Sequence, residues 1–148
     1  MTQPTLADCP FGPQEIVETG KHLDYQWVIA KAPRYGLNGY IRIPDHQQCH
    51  PWQETTDYIF DTEFHPWGEV TYQQGNWYGF DNHHSWNHWD EEYVWNKSPS
   101  SIESAKNAYD GEPKRWDNLD TTRQQVRHMI EQAHEEYTQQ AITGTYTI

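Results

Sequence analysis

The residues best suited to chemistry are concentrated between positions 76 and 96, in the segment NWYGFDNHHSWNHWDEEYVWN. It holds four of the eight tryptophans and three of the nine histidines. An indole ring buries a large apolar area and needs a partner for its N–H group, whereas an imidazole binds metals or exchanges hydrogen bonds. This combination is typical of a surface that stacks on a planar ligand, binds a metal or docks another protein.

The residue types allow two binding modes, stacking on a planar ligand and docking to another protein, and the net charge of -12 slightly favours the docking mode. Rings stack on bases, amides read base edges and arginines pair with phosphate, so the segment suits a nucleotide-like ligand; the same rings would suit a protein interface. His50-Pro51-Trp52 and His65-Pro66-Trp67 add two rigid proline turns, and we expect one concave surface. The predicted binding residues are Trp77, Tyr78, Asp81, Asn82, His84, Trp86, Asn87, His88, Trp89, His50, Trp52, His65 and Trp67, with Arg34, Arg42 or Arg115 as phosphate partners.

A metal site is the alternative use of the same histidines. Five side chains could hold zinc or another divalent ion, which would make the chain a metal-dependent hydrolase. They are His83, His84, His88, Asp81 and Asp90. The spacings H-E-x-x-H and C-x-x-C do not occur, and hydrogen bonds to the aspartates or the backbone would also account for the histidines. We therefore expect a binding protein with no cofactor, and keep the metal as the alternative.

Other catalytic motifs do not occur in the sequence. It contains no G-x-S-x-G nucleophile elbow, no G-x-x-x-x-G-K-[ST] phosphate loop and no G-x-G-x-x-G dinucleotide motif. No residue is therefore predicted to be catalytic.

The chain is strongly acidic, with a formal net charge of -12 from 22 Asp and Glu against 10 Lys and Arg. This charge disfavours direct binding to nucleic acid or to an anionic membrane. It favours solubility, and it also allows an acidic decoy that presents carboxylates where a nucleic-acid-binding protein expects phosphates.

The N-terminal residues and the two cysteines are informative about the cellular compartment of the protein. MTQPTLADCPFG has neither the basic nor the apolar region of a signal peptide, and no apolar run reaches membrane-spanning length. We expect a cytoplasmic protein. Cys9 and Cys49 could form one disulfide, but their spacing does not require it.

The predicted strands and helices, which must position the candidate binding residues, indicate an α+β fold. Residues 1–22, rich in proline and glycine, predict an irregular N-terminal arm, and residues 23–148 predict a single α+β domain. Residues 25–30 and 40–43 have strand composition, and Asn38-Gly39 predicts the hairpin turn that joins them.

A second hairpin is predicted further along the chain. Residues 69–73 and 76–80 flank Gln74-Gly75, which favours a tight turn. Residues 58–60 and 146–148 are additional strand candidates. We expect both hairpins in one antiparallel sheet.

Two helices are predicted after the aromatic segment. Ser101 is the expected N-cap of a helix over residues 102–109. Thr121, with Gln124 completing a capping box, is the expected N-cap of an amphipathic C-terminal helix over residues 122–140. Its apolar stripe is predicted to pack on one face of the sheet. The stripe consists of Val126, Met129, Ile130, Ala133 and Tyr137.

Several motifs resemble those of a group of small uncharacterised proteins of bacteriophages and prophages. They are Asn38-Gly39-Tyr40-Ile41, His50-Pro51-Trp52, His65-x-x-Gly68-x-x-Thr71-Tyr72 and Trp77-x-Gly79-Phe80-Asp81-x-x-His84. The group has the pattern NGY(V/I)…HPW…HGG(L/I)TY…W(I/V)GFDxxH…D, which covers residues 25–90 here, and a helix near the C-terminus. This chain departs from the pattern at Pro66-Trp67 and in the additional His83, Trp86, His88 and Trp89.

The resemblance implies a phage accessory protein of the bacterial cytoplasm. By analogy, small phage proteins of this kind often counter host defence, by binding a defence protein or by sequestering a nucleotide signal. A host protein or a small nucleotide-like ligand is therefore the expected partner, and a homo-oligomer is a further option.

Overall fold

A five-stranded antiparallel sheet organises the protein. The computed structural model describes residues 15–47, 72–80, 88–106 and 116–143. The strands are β1 (Ile16–His22), β2 (Tyr25–Lys31), β3 (Leu37–Arg42), β4 (Tyr72–Gln74) and β5 (Trp77–Phe80). Their order is β1-β2-β3-β5-β4, with antiparallel neighbours throughout.

In the part of the chain that the structure describes, two α-helices follow the sheet, and they confirm the predicted α+β class. They are α1 (Pro99–Lys106) and α2 (Leu119–Thr143), and short 3-10 helices occupy Asp45–Gln47 and Glu91–Tyr93. Within the ranges that the structure describes, no helix is long and apolar enough to cross a membrane.

Strand β1 corrects the predicted N-terminal arm. Residues 1–22 were expected to be irregular, but Ile16–His22 pair with β2 along the edge of the sheet; residues 1–14 lie outside the described residues. The turn between the two strands is Leu23-Asp24, and φ is positive at both residues, 51° and 71°. Positive φ at both central positions is the geometry of a type I′ turn, which asparagine and glycine usually supply. Because neither is present, the sequence carries no signal for this hairpin.

The connection from β2 to β3 corrects a second prediction. Asn38-Gly39 lies inside β3, and the turn spans residues 32–36. The N–H of Ala32 donates to the carbonyl of Gly36 at 3.0 Å, and Gly36 has a φ of 83° that favours glycine. Gly39 is needed in the strand for another reason. A Cβ atom there would overlap the Phe80 ring and lie 2.8 Å from Cγ2 of Val126.

The hairpin of β4 and β5 is confirmed, with its turn one residue later than predicted. Gly75-Asn76 forms the two-residue loop between paired Gln74 and Trp77, and Gly75 has a φ of 58°. Strand β5 then pairs with β3, which places both predicted hairpin regions in one sheet. The strand candidates at residues 58–60 and 146–148 lie outside the described residues.

Both helices begin three residues before the predicted start. Asn118 caps α2, since the N–H of Thr121 donates to Asn118 Oδ1 and the N–H of Asn118 donates to Thr121 Oγ1, each at 2.9 Å. Ser98 caps α1 by accepting from the N–H of Ser101 at 3.3 Å. The predicted caps, Ser101 and Thr121, are thus the third helical residues. The hydroxyl of a third helical residue can accept a hydrogen bond from the N–H of the cap residue. A serine or threonine therefore fits this position of a reciprocal cap as well as the cap position itself.

The apolar stripe of α2 packs against the sheet as predicted. Val126, Met129, Ile130 and Ala133 are buried among side chains of β2, β3 and β5, and Tyr137 packs against the same cluster while partly buried. A fully buried aliphatic side chain contributes roughly 1.5–3 kcal/mol, so the stripe holds the helix in place.

The opposite face of the sheet is buried as well. Val28, Ala30, Tyr40 and Trp77 form a second cluster there, each at most 4% exposed. Alternation along β2 assigns even positions to this face and odd positions to the helix face. The sheet therefore carries a cluster of buried side chains on each of its two faces.

Replacement of Gly39 by alanine tests the contact between α2 and the sheet. We expect the free energy of unfolding to fall by about 2 to 3 kcal/mol, because the added methyl group overlaps Phe80 and Val126. Urea unfolding measures this difference. Gly75→Ala is the matched control, since its new Cβ would meet no atom within 4 Å. The positive φ alone costs that variant about 1 kcal/mol. Equal losses in the two variants would contradict the assigned contact.

The turn at Leu23-Asp24 provides a second test. The double replacement Leu23→Asn and Asp24→Gly should raise the free energy of unfolding by about 1 kcal/mol, because these residues tolerate positive φ. Thermal and urea unfolding check the gain. An unchanged or lower stability would argue against a type I′ turn here.

Candidate functional site

Three of the predicted binding rings are buried in the core. Trp77 is 4% exposed, Tyr78 1% and Trp89 0%. The prediction that these rings line an open surface is wrong. In a protein that is 34% hydrophobic but 15% aromatic, large rings take the place of aliphatic side chains in the interior.

Trp89 anchors the aromatic segment to the turn between β2 and β3. A Cβ atom on Gly36 would lie 2.9 Å from Cε2 of Trp89, so the indole packs directly on the glycine backbone. The N–H of Trp89 donates to the carbonyl of Ala105 at 2.7 Å. Gly36 donates its N–H to the carbonyl of Tyr93 at 2.8 Å and accepts from Nε1 of Trp95 at 3.2 Å. Trp89 is therefore a structural residue.

His88 and Asp90 also have structural surroundings. His88 is 6% exposed, its backbone N–H donates to the Asp117 carboxylate at 3.2 Å, and its ring meets Trp116 edge-on. Asp90 is exposed and accepts from the N–H of Glu91 at 2.7 Å, which caps the following 3-10 helix. In the part of the chain that the structure describes, no three His, Cys, Asp or Glu side chains are grouped to hold a metal ion.

The other predicted residues lie outside the described residues, so their convergence on one surface stays a prediction. They are Asp81, Asn82, His83, His84, Trp86, Asn87, His50, Trp52, His65 and Trp67. Of the arginines considered as phosphate partners, Arg34 donates to Ser101 at 2.9 Å and Arg42 pairs with Asp45 at 2.9 Å.

A cleft that the sequence analysis did not find opens between the β1–β2 hairpin and α2. Its volume is about 330 Å³. The lining combines apolar side chains from β2 and α2 with basic side chains from β1 and α2. The residues are Lys21, His22, Trp27, Arg123, Val126, Arg127 and Ile130.

The floor of the cleft is apolar and includes an indole ring. Val126 and Ile130 are 2% and 0% exposed, and Trp27 is partly buried beside them. Gly20 is the cross-strand partner of Trp27, and a Cβ atom there would lie 2.7 Å from Cζ2 of the indole. The ring thus lies across β1, which only a glycine at this position allows.

Ion pairs between β1 and α2 form the rim. Arg123 binds Glu18 with two parallel hydrogen bonds, Nε to Oε1 at 2.7 Å and Nη2 to Oε2 at 2.6 Å. Glu131 Oε2 lies 2.9 Å from Nε of Arg127 and 3.0 Å from Nε2 of His22. Successive residues of a strand point to opposite faces of the sheet, so Glu18, Gly20 and His22 all lie on the face of β1 that α2 covers. This placement allows Glu18 and His22 to pair with side chains of the helix.

These contacts lower the pKa of the two rim carboxyl groups, those of Glu18 and Glu131. The hydrogen bond from Arg123 lowers the pKa of Glu18 below its ordinary value, against a smaller opposing effect of burial. The hydrogen bond from Arg127, assisted by His22, likewise lowers the pKa of Glu131. Both carboxyl groups are therefore ionised at neutral pH, and they balance the two guanidinium groups.

The cleft can accept a ligand with a flat apolar part and a polar head. The indole offers a stacking surface, and guanidinium groups recognise phosphate or carboxylate. A weak sequence signal existed, because Arg123 and Arg127 are spaced i, i+4 beside the apolar stripe. Only their proximity to β1, about a hundred residues earlier, turns them into a rim.

Comparison with known proteins finds no match among family models, curated proteins or solved structures. The site is therefore interpreted from its own geometry.

Glu18→Gln tests the ion pair that joins Glu18 of β1 to Arg123 of α2. Near pH 7 we expect the free energy of unfolding to fall by about 0.5 kcal/mol, small because both side chains are partly exposed. Because the pKa of Glu18 is lower in the folded protein than in the unfolded chain, its ion pair stabilises the fold fully above the unfolded value of 4.5. This stabilisation is lost as pH falls through the folded-state pKa. The unfolding free energies of the two proteins, measured by urea unfolding, should thus converge as pH falls through the folded-state pKa of Glu18. A difference that is independent of pH would exclude an ion-pair origin.

Proposed function

We propose that this is a non-catalytic binding protein that holds a small nucleotide-like ligand in the cleft between the β1–β2 hairpin and α2. One observation carries the proposal: the Trp27 indole lines the same cleft as the side chains of Arg123, Arg127 and His22. A planar base on the indole would bring an attached phosphate towards the rim.

The size and lining of the cleft support a small molecule. Pockets for such ligands are about 300–1,000 Å³, mostly apolar, with a few polar groups that orient the ligand. This cleft has about 330 Å³ and an apolar floor, which favours a single nucleotide over a long polymer. The net charge of -12 also disfavours a polyanion, whose binding would need a wide basic surface.

The energies of stacking and of pairing with phosphate set the affinity that we expect. Stacking of a base on an aromatic side chain contributes about 1–3 kcal/mol, and a charged hydrogen bond to phosphate adds about 1.5–3 kcal/mol. Together these terms give about 2.5–6 kcal/mol, and because about 4 kcal/mol corresponds to a millimolar Kd, the expected affinity is in the millimolar to high-micromolar range.

The biological role that we propose is to counter a bacterial defence pathway by sequestering a nucleotide-like signal in the cytoplasm. This part rests on the resemblance of residues 25–90 to the phage and prophage group. It also agrees with the lack of recognisable catalytic motifs in the sequence.

A second mode is docking to a host protein, and one observation favours it. Leu23 is 44% exposed in the turn of the β1–β2 hairpin, it follows the cleft residue His22 in the sequence, and its φ is positive. This apolar side chain is thus available to contact a partner protein. In this mode Leu23 in the turn of the hairpin, rather than Trp27 in β2, would provide the binding energy.

Calorimetric titration with AMP, a cyclic dinucleotide and ADP-ribose tests the ligand mode. Trp27→Leu should weaken the binding of whichever probe binds by about tenfold or more, because stacking is lost. Arg127→Gln, whose side chain is 71% exposed and so is not needed for folding, should weaken phosphate-bearing probes but not adenosine.

Trp116→Leu is the matched control, since this tryptophan is 42% exposed and does not line the cleft. It should leave affinity unchanged, with circular dichroism confirming that all variants are folded. If no probe binds, the ligand mode is wrong. Turnover of any probe would contradict the non-catalytic assignment.

A further inference from the structure

One carboxylate oxygen joins the two walls of the cleft. Oε2 of Glu131 lies 3.0 Å from Nε2 of His22 on the hairpin and 2.9 Å from Nε of Arg127 on α2. A negatively charged oxygen is therefore already held between two donors that also line the cleft. This is the arrangement that an anionic group of a ligand would need.

The Glu131 carboxylate is well placed to leave this position. Its side chain is 47% exposed and that of Arg127 is 71% exposed, so solvent can replace the contact. Exposed ion pairs contribute only about 0–1 kcal/mol. The order along the helix, Arg127 before Glu131, is also the less favourable one for an i, i+4 pair.

Arg123 and Glu18 form a contrasting pair. Both carboxylate oxygens of Glu18 are used, in two parallel hydrogen bonds of 2.7 and 2.6 Å. Bidentate pairs of this kind are the stronger and more directional ones. Arg127, by comparison, uses only Nε in its contact with Glu131, as far as the described residues show. Its terminal N–H groups can serve a second oxygen of a ligand.

We infer that Glu131 occupies the place of the ligand's anionic group, and that binding exchanges its carboxylate for a phosphate between His22 and Arg127. This inference rests on the proposed ligand-binding function. The Glu131 carboxylate competes for the donors and repels an incoming anion, so it acts as a built-in competitor.

The exchange favours a phosphomonoester over a carboxylate ligand. A phosphomonoester carries about -1.5 to -2 charges near pH 7 and three acceptor oxygens, whereas Glu131 offers one charge and two oxygens. A carboxylate ligand would replace the Glu131 carboxylate by a group with the same charge and the same number of acceptor oxygens. The terminal phosphate is thus the group that gains from displacing Glu131.

Glu131→Gln tests the exchange with AMP and adenosine as probes. Glutamine keeps the size of the side chain and removes its charge. We expect AMP to bind at least about fivefold more tightly to the variant and adenosine to bind equally to both proteins, because removal of one nearby like charge is worth about 1 kcal/mol. Addition of Arg127→Gln should abolish the gain.

Glu103→Gln is the matched control, because it makes the same change in net charge at an exposed position of α1 away from the cleft. An equal gain in this control, or no gain in Glu131→Gln while the wild-type protein binds AMP, overturns the exchange and leaves the proposed function standing. If neither AMP nor adenosine binds the wild-type protein or the variant, both the exchange and the cleft as a nucleotide site are refuted.

Discussion

The close approach of helix α2 to the backbone of Gly39 sets the geometry of the rest of the structure. With no Cβ at this position, the Phe80 ring and Val126 both reach strand β3, and the apolar stripe can lie flat on the sheet. Interiors are packed at the density of organic crystals, so one additional methyl group there would lift the helix. The position of every other side chain on α2 depends on this contact.

The cleft is a consequence of that placement. The stripe faces the sheet, and Arg123 and Arg127 therefore emerge at its border, opposite the helix face of β1. Glu18 and His22 occupy that face because strand positions alternate, and Gly20 between them makes room for the Trp27 ring. An apolar floor and a charged rim thus arise at the junction of two elements, where small-molecule sites are commonly found.

The aromatic segment contributes to the interior more than to the surface. Trp77 fills the face of the sheet opposite α2, while Trp89 fixes the chain after β5 to the turn at Gly36. Few aliphatic residues are available in this sequence, and large rings bury the apolar area that a chain of 148 residues needs. A dense group of tryptophans is thus a signal of core formation as much as of recognition.

The sequence by itself determined those features that depend on neighbours along the chain. The period of the α2 stripe identified the helix and its buried face, and Gly75 marked the hairpin of β4 and β5, because both are set by local backbone geometry. Tertiary structure alone decided that Asn38-Gly39 extends a strand, since the reason is a ring from β5. It also decided that Glu18 meets Arg123, 105 residues away, and that His22 meets Glu131, 109 residues away. Such pairs depend on how a helix is laid across a sheet, and that follows from the packing of the whole core.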